Sequence, residues 1–173
     1  VIPFCYDELS GRYVAFPKVI RKSGKHDRRS VSVSFSDDFL TWTPVQTILV
    51  PDERDDELAR ERVPAMRDHI EFDDGPDWHI AQLYGLCGFP YEGMYLGMLW
   101  VFDISGWGSP ILEKRKEANK PGRKPGEGGE DGIATSVQLV CSRDLLNWDR
   151  VADCKLLITA GEVGSFDAGR LYT

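Results

Sequence analysis

A carboxylate set among small residues is the first candidate for chemistry in this chain. Asp167 stands in the run Gly161-Glu-Val-Gly-Ser-Phe-Asp-Ala-Gly169, where glycine, serine and alanine leave room beside it for a ligand. Such a group suits acid–base or nucleophilic work on a polar substrate. Cleavage of a glycosidic bond needs two carboxylates across one sugar-sized space. The competing reading is an Asx turn or a β-bulge, because Asp beside Gly readily closes a turn through its own backbone. Asp77, Trp78 and His79 are the second candidate, an indole face for a pyranose flanked by polar contacts. There too a plain turn competes, since residues 74–77 read Asp-Gly-Pro-Asp. Glu92, in Tyr91-Glu-Gly93, is a further substrate contact or else a turn residue at the far end of the strand that begins at His79.

The elements that position these residues are set by an internal repeat. Ser36, Asp38, Leu40 and Trp42 recur 106 positions later as Ser142, Asp144, Leu146 and Trp148. Each copy follows an apolar-polar alternation and precedes a short apolar run, which reads as strand, tight turn, strand. In that turn Ser and Asp bond the backbone and Trp packs between sheets, so Asp38 and Asp144 are structural and both Trp are expected to be buried wedges. Gly11-Arg-Tyr-Val-Ala-Phe likewise recurs 82 positions later as Gly93-Met-Tyr-Leu-Gly-Met. The two offsets differ by 24, which matches a charged, Gly/Pro-rich insertion within residues 105–133. His79 to Tyr84 resembles Asp167 to Tyr172 only at Leu and Tyr.

Four antiparallel strands per unit is the blade of a β-propeller. The chain therefore reads as one all-β propeller region over residues 1–173, about two blades' worth. It runs from the last three strands of one blade (Arg12 to Val50) through a whole blade (about Asp77 to Thr159) to the first strand of a third. A unit that cannot bury both faces alone calls for stacked neighbours. The chain starts with Val, so the expectation is a piece of a longer protein. Residues 52–71 are the ambiguous stretch, a connection with one or two helical turns, because Pro64 and a broken apolar stripe weaken a longer helix.

Composition limits the partners. The net charge of −7, with 21 basic and 28 acidic residues, opposes attraction to nucleic acid or anionic lipid. The longest apolar run, Met94 to Phe102, is too short to span a bilayer as a helix. The four cysteines lack metal-finger spacing and read as free thiols. His69, Glu71, Asp73 and Asp74 match neither a His-x-x-x-His helix nor a calcium loop, so no metal is expected. No phosphate loop, dinucleotide fingerprint or Gly-x-Ser-x-Gly occurs, and no cofactor is expected.

The Ser-x-Asp-x-Leu-x-Trp turns, the Gly-x-Tyr strand and the Gly-Ser-Phe-Asp-Ala-Gly entry resemble the five-bladed β-propeller glycosidases. Those are the invertase-like N-terminal domains of glycoside hydrolase family 32 and the arabinanase-like family 43. The resemblance implies a five-bladed propeller whose channel carboxylates hydrolyse a glycoside, with a carbohydrate as ligand. By position it carries over only Asp167. The families' Trp-x-Asn-Asp-Pro-Asn-Gly, Arg-Asp-Pro and Glu-Cys motifs are absent, so it supports the fold better than the activity. Two further readings stay open, a non-catalytic carbohydrate-binding or scaffold propeller and a sialidase-like enzyme. The turns here are shorter than Asp-boxes, lack their Gly, and come without a clustered arginine triad.

Overall fold

In the computed structural model of the chain, residues 4–65, 79–105, 133–162, 165–167 and 171 are described. They form ten strands and one helix: β1 Phe4–Asp7, β2 Arg12–Ala15, β3 Lys18–Ser23, β4 His26–Ser36, β5 Gln46–Leu49, α1 Glu53–Ala65, β6 Ile80–Tyr91, β7 Met94–Ile104, β8 Ile133–Ser142, β9 Trp148–Arg150 and β10 Leu156–Ile158. All pairings are antiparallel and fall into two sheets.

Each sheet is a meander four strands wide. In the first, β2 and β3 lie end to end along β4 in one unbroken register, from Tyr13 opposite Ser36 to Ser23 opposite His26. Phe16 and Pro17 separate them, and Pro17 has no N–H for the ladder. With β1 on one side and β5 on the other, the order is β1, β2/β3, β4, β5. The second sheet repeats it as β6, β7, β8, β9/β10, with β9 and β10 sharing β8. The expected succession of β7, β8 and the Cys154–Thr159 region as antiparallel neighbours is present. One strand exceeds the expectation: β1 gives the first sheet a fourth strand where the repeat showed three.

Long alternating strands form here because apolar and small polar residues follow a period of two. Val31 and Val33 point into the core while Ser30, Ser32 and Ser34, also buried, occupy the opposite face. One apolar cluster joins the sheets: Val14, Phe16, Val31 and Val33 from the first meet Leu86, Leu99, Val140 and Trp148 from the second. Phe16 packs edge-on to Trp148, with ring centroids 6.0 Å apart. Gly88 and Gly97 make the space, since a Cβ at Gly97 would lie 2.9 Å from the Trp148 indole and one at Gly88 2.8 Å from the Phe16 ring.

The two repeated turns share their Ser, Asp and Trp bonds. Asp38 Oδ1 accepts the N–H groups of Leu40 and Thr41 at 2.8 and 2.7 Å, and Asp144 Oδ1 those of Leu146 and Asn147 at 2.9 and 2.7 Å. Ser36 Oγ accepts from Phe39 N–H and Ser142 Oγ from Leu145 N–H, at 2.9 and 3.0 Å. Each indole donates to the carbonyl three residues back, Trp42 to Phe39 and Trp148 to Leu145. These bonds hold Phe39 and Leu145 at φ 66° and 65°. The Asp144 carboxyl is pulled down to about 2, first by the Asn147 backbone N–H, then by the Asn147 side chain and Leu146 N–H. The two Trp differ in burial, however. Trp148 is buried, whereas Trp42 is only half-buried.

In the ambiguous stretch, α1 runs for 13 residues, longer than the one or two turns expected, with Pro64 in its last turn; residues 66–71 lie outside the described residues. Asp52 caps the helix reciprocally with Asp55: Asp52 Oδ1 accepts Asp55 N–H at 3.1 Å, and Asp55 Oδ2 accepts Asp52 N–H at 3.0 Å. Glu53, Asp55 and Asp56 suit the positive end of the helix dipole. The buried stripe is Asp55, Ala59 and Val63, at helical spacing. The helix is tied to both sheets by ion pairs. Arg28 of β4 holds Asp56 through two bonds of 2.6 and 2.7 Å, Arg62 holds Asp103 of β7 through two of 2.7 Å, and Arg150 of β9 pairs with Asp55 at 2.6 Å. Among the described residues no helix is long and apolar enough to cross a membrane.

Candidate functional site

The ion pairs of α1 place charged groups around an open polar cavity of about 550 Å³. Its walls are the β3–β4 hairpin tip, the first turns of α1 and the start of β6. The hairpin supplies Lys25, His26 and Arg28; the helix and its cap supply Asp52, Glu53, Asp56 and Arg60; β6 contributes Ile80, preceded by His79. The tip turns at Gly24, whose φ of +59° favours glycine. Below it Ser23 Oγ donates to Pro51 carbonyl oxygen, tethering the hairpin beside the helix cap.

The floor is fixed and the rim is not bonded so closely. Asp56 takes the Arg28 fork and also lies 3.4 Å from Ala81 N–H, so one carboxylate joins β4, α1 and β6. Asp52 is occupied by the cap, while Glu53 is exposed at the mouth. Burial first, then the charges of Arg28 and Lys25, push the His26 imidazole below its ordinary value of 6.5 against the opposing pull of Asp56. The shift favours the neutral imidazole, which has one nitrogen to donate and one to accept. The cavity thus presents cationic donors, anionic acceptors and a neutral imidazole around one space, an arrangement that recognises a neutral polyhydroxylated or zwitterionic molecule better than a single-sign ion.

The sequence-derived candidates are dispersed. His79 is buried on this cavity wall. Asp77 and Trp78 lie outside the described residues, as do His69, Glu71, Asp73 and Asp74. Glu92 is exposed in the β6–β7 turn with φ 47°, at the opposite end of β6 from His79, roughly 40 Å away at ~3.3 Å per residue. Asp167 sits half-buried in a turn: its carbonyl oxygen accepts Gly161 N–H at 3.0 Å and its Oδ1 accepts Ser165 Oγ–H at 2.6 Å. It is not among the residues lining the cavity. Most of the strand it was expected to open, residues 168–173, lies outside the described residues. The structure therefore brings His79 together with His26, Arg28, Asp56 and Glu53, and leaves Glu92 remote.

The groups that sequence reasoning missed carry no periodic signal. Arg28 and Asp56 are 28 positions apart, and His26 reads as an ordinary hairpin residue. By sequence Asp52, Asp55 and Asp56 read as solvated residues after a strand end; in the structure they open α1, and Asp55 is buried against Arg150 and Asp56 half-buried against Arg28. A second aromatic site is already occupied: Tyr84 stacks on Phe102 with centroids 4.1 Å apart, and Lys18 Nζ lies 4.0 Å over the Tyr84 ring. No group of three metal-type ligands is gathered among the described residues, and the four cysteines are free thiols.

No protein-family model matches the sequence, and no curated protein matches it. Among solved structures, an N-acetylgalactosamine deacetylase from F. plautii, crystallised in complex with blood group B trisaccharide, is similar over 98% of this chain, with a TM-score of 0.54 and 13% identity. A protein from Parabacteroides distasonis ATCC 8503, provisionally assigned as a glycoside hydrolase, aligns over 97% of the chain at 12% identity with a TM-score of 0.30, too low to argue from. The chain spans 33% of the deacetylase's length and 55% of the second protein's. At these identities the first likeness speaks for the fold, an all-β arrangement of antiparallel sheets, and for that alone.

Proposed function

We propose that the chain is part of a carbohydrate-active β-propeller and binds a saccharide in the polar cavity between the β3–β4 hairpin tip, α1 and β6. The carrying observation is the cavity itself, sugar-sized at about 550 Å³, with His26, His79, Arg28, Glu53 and Asp56 on its walls. Sugar hydroxyls both donate and accept, and they are matched by walls that do both. The propeller is supported by two meanders of one build that share a core, each four strands wide. The deacetylase of similar fold was solved with a trisaccharide, which agrees with the ligand class without adding a residue to the case.

The test is calorimetric titration of the chain with a panel of neutral and N-acetylated mono- to tetrasaccharides. A member of the panel is expected to bind, and His26→Ala and Glu53→Gln to weaken it by about tenfold or more, the loss of roughly one hydrogen bond to a polar group, with the melting temperature held. Absence of binding across the panel, or binding indifferent to both variants, removes the cavity as the saccharide site.

Hydrolysis of a glycosidic bond is the second reading. It is favoured by the gathering of Asp52, Glu53 and Asp56 on one cavity, since such cleavage uses carboxylates in pairs. Asp167, outside this cavity, is the catalytic carboxylate that the family resemblance proposes; of the substrate contacts read from the residues, Asp77, Trp78 and His79 stay with this reading, and Glu92, at the far end of β6, does not reach the cavity.

A further inference from the structure

Among the described residues two apolar surfaces are only partly covered, and the internal repeat makes them complementary. Inside the molecule, the first sheet docks on the second by setting Phe16 against Trp148. The receiving surface is Tyr95, Gly97, Leu99, Val140, Leu145 and Trp148, all buried. The offsets of 82 and 106 map it onto Tyr13, Ala15, Pro17, Ser34, Phe39 and Trp42 of the first sheet. Five of these six, with Thr43 and Val45, line an open and largely apolar groove of about 370 Å³. Where Leu145 is 4% exposed, Phe39 is 43% exposed, and Val45 at the rim is 50% exposed.

The inserting surface also recurs. Val14, Phe16, Val33 and Phe35 map onto Leu96, Met98, Leu139 and Cys141. These four form one patch, with Leu96 opposite Cys141 and Met98 opposite Leu139 across β7 and β8. All four are half-buried, whereas Val14, Phe16 and Val33 are at most 1% exposed. The floor differs in a way that suits the occupant. Ala15 stands where Gly97, which has no Cβ, lies against the Trp148 indole, so a Cβ occupies that place on the floor of the first sheet's groove, and Met98 is slimmer and more adaptable than Phe16.

We propose that the chain associates head to tail with a second copy of itself, the Met98 patch of one copy seated in the Trp42 groove of the next. The contact repeats the junction already made between the two sheets of one chain. It is heterologous, so further copies add in the same sense and close into a ring if the rotation allows. It does not depend on the saccharide reading.

Sedimentation velocity of the full chain over a range of concentrations tests this. Mass above the monomer is expected as concentration rises, and Val45→Glu and Met98→Glu are each expected to weaken association at least tenfold. Val45 is exposed on the rim, and circular dichroism checks that both variants fold. Each variant retains one intact surface, so mixing the two is expected to restore a dimer and nothing larger. A chain that stays monomeric at every concentration, including one whose groove is taken by another sheet of a longer polypeptide, overturns the proposal. So does association that survives both substitutions, or a mixture that forms no dimer.

Discussion

Replacing Trp148 and Trp42 by alanine separates what the repeat predicts from what the packing predicts. By sequence the two residues are equivalent, and their turns share the Ser and Asp bonds to backbone N–H and the indole N–H bond, at 3.1 and 2.9 Å. By environment they are not. Trp148 is wedged among Phe16, Gly88 and Gly97, so truncation leaves a cavity between two sheets. A buried large aromatic of this kind costs about 3–5 kcal/mol. Trp42 keeps an edge contact with Phe39 at 5.7 Å and little else that is buried, which is worth about 1 kcal/mol. For a chain of this length those losses lower the melting temperature by about 6–20 °C and about 2–4 °C respectively.

The assay is urea unfolding of both variants, at protein concentrations low enough to exclude head-to-tail association. Gly97→Ala supplies a control on the mechanism. A Cβ there lies 2.6 Å from Leu86, 2.8 Å from Val140 and 2.9 Å from Trp148, which overpacks the site by about 1–3 kcal/mol. In the Trp148→Ala background part of that clash is gone, so the two substitutions should be less harmful together than their separate losses imply. Equal midpoints for Trp42→Ala and Trp148→Ala, or strict additivity with Gly97→Ala, would refute the packing argument.

Three other outcomes follow from the same contacts. Asp55→Ala leaves the half-buried Arg150 without its charge partner and is expected to cost about 3 kcal/mol by denaturant unfolding, while Asp55→Leu with Arg150→Met recovers most of it. The Asp144 carboxyl is held at about 2, below its ordinary 3.8, so the stability it contributes is complete above pH ~4 and is lost as pH falls through 2. Asp144→Asn should therefore show a shallower loss of urea midpoint between pH 4 and 2 than the parent. Asp167→Asn separates a turn from a catalytic group: with Ser165 Oγ as the contact at 2.6 Å, the turn reading expects a lower melting temperature and unchanged saccharide chemistry per folded molecule. The hydrolytic reading expects normal melting and a rate lowered about 10²–10⁴-fold.

Much of the architecture was legible because the repeat is written in residues that make local bonds. Ser and Asp of each turn bond backbone within three residues, so their spacing alone identifies the motif. Strand β1 escaped because its turn spans Glu8 to Gly11 where the β6–β7 turn has only Glu92 and Gly93. The longer turn shifts the offset from 82 to 84, as Cys5 opposite Val14 and Phe89 opposite Leu96 show, and a fixed-offset comparison passes over it. Helix α1 looked weak because of Pro64 and a broken apolar stripe; Pro64 falls in its last turn, and the stripe is completed by a carboxylate, Asp55, which is fully buried and paired with Arg150, 95 positions away. The candidate site was legible only at His79, since Arg28, His26 and Glu53 meet through tertiary contacts that leave no period in the sequence.

The same contacts decide which part of the cavity can respond to a ligand. Three ion pairs fix α1 against β4, β7 and β9, and Asp56 alone spans Arg28 and the start of β6. Moving that floor means separating charges that are almost wholly removed from water, which is expensive. The hairpin tip is different: Gly24 and Lys25 are exposed, and its anchor is the bond from Ser23 to Pro51 at its base. A ligand would therefore meet a preorganised floor of Arg28 and Asp56 and an adjustable rim carrying His26. On the saccharide proposal, specificity for the arrangement of hydroxyls would belong to the floor, and changes of hairpin sequence at residues 24–26 would alter affinity more readily than the class of molecule bound.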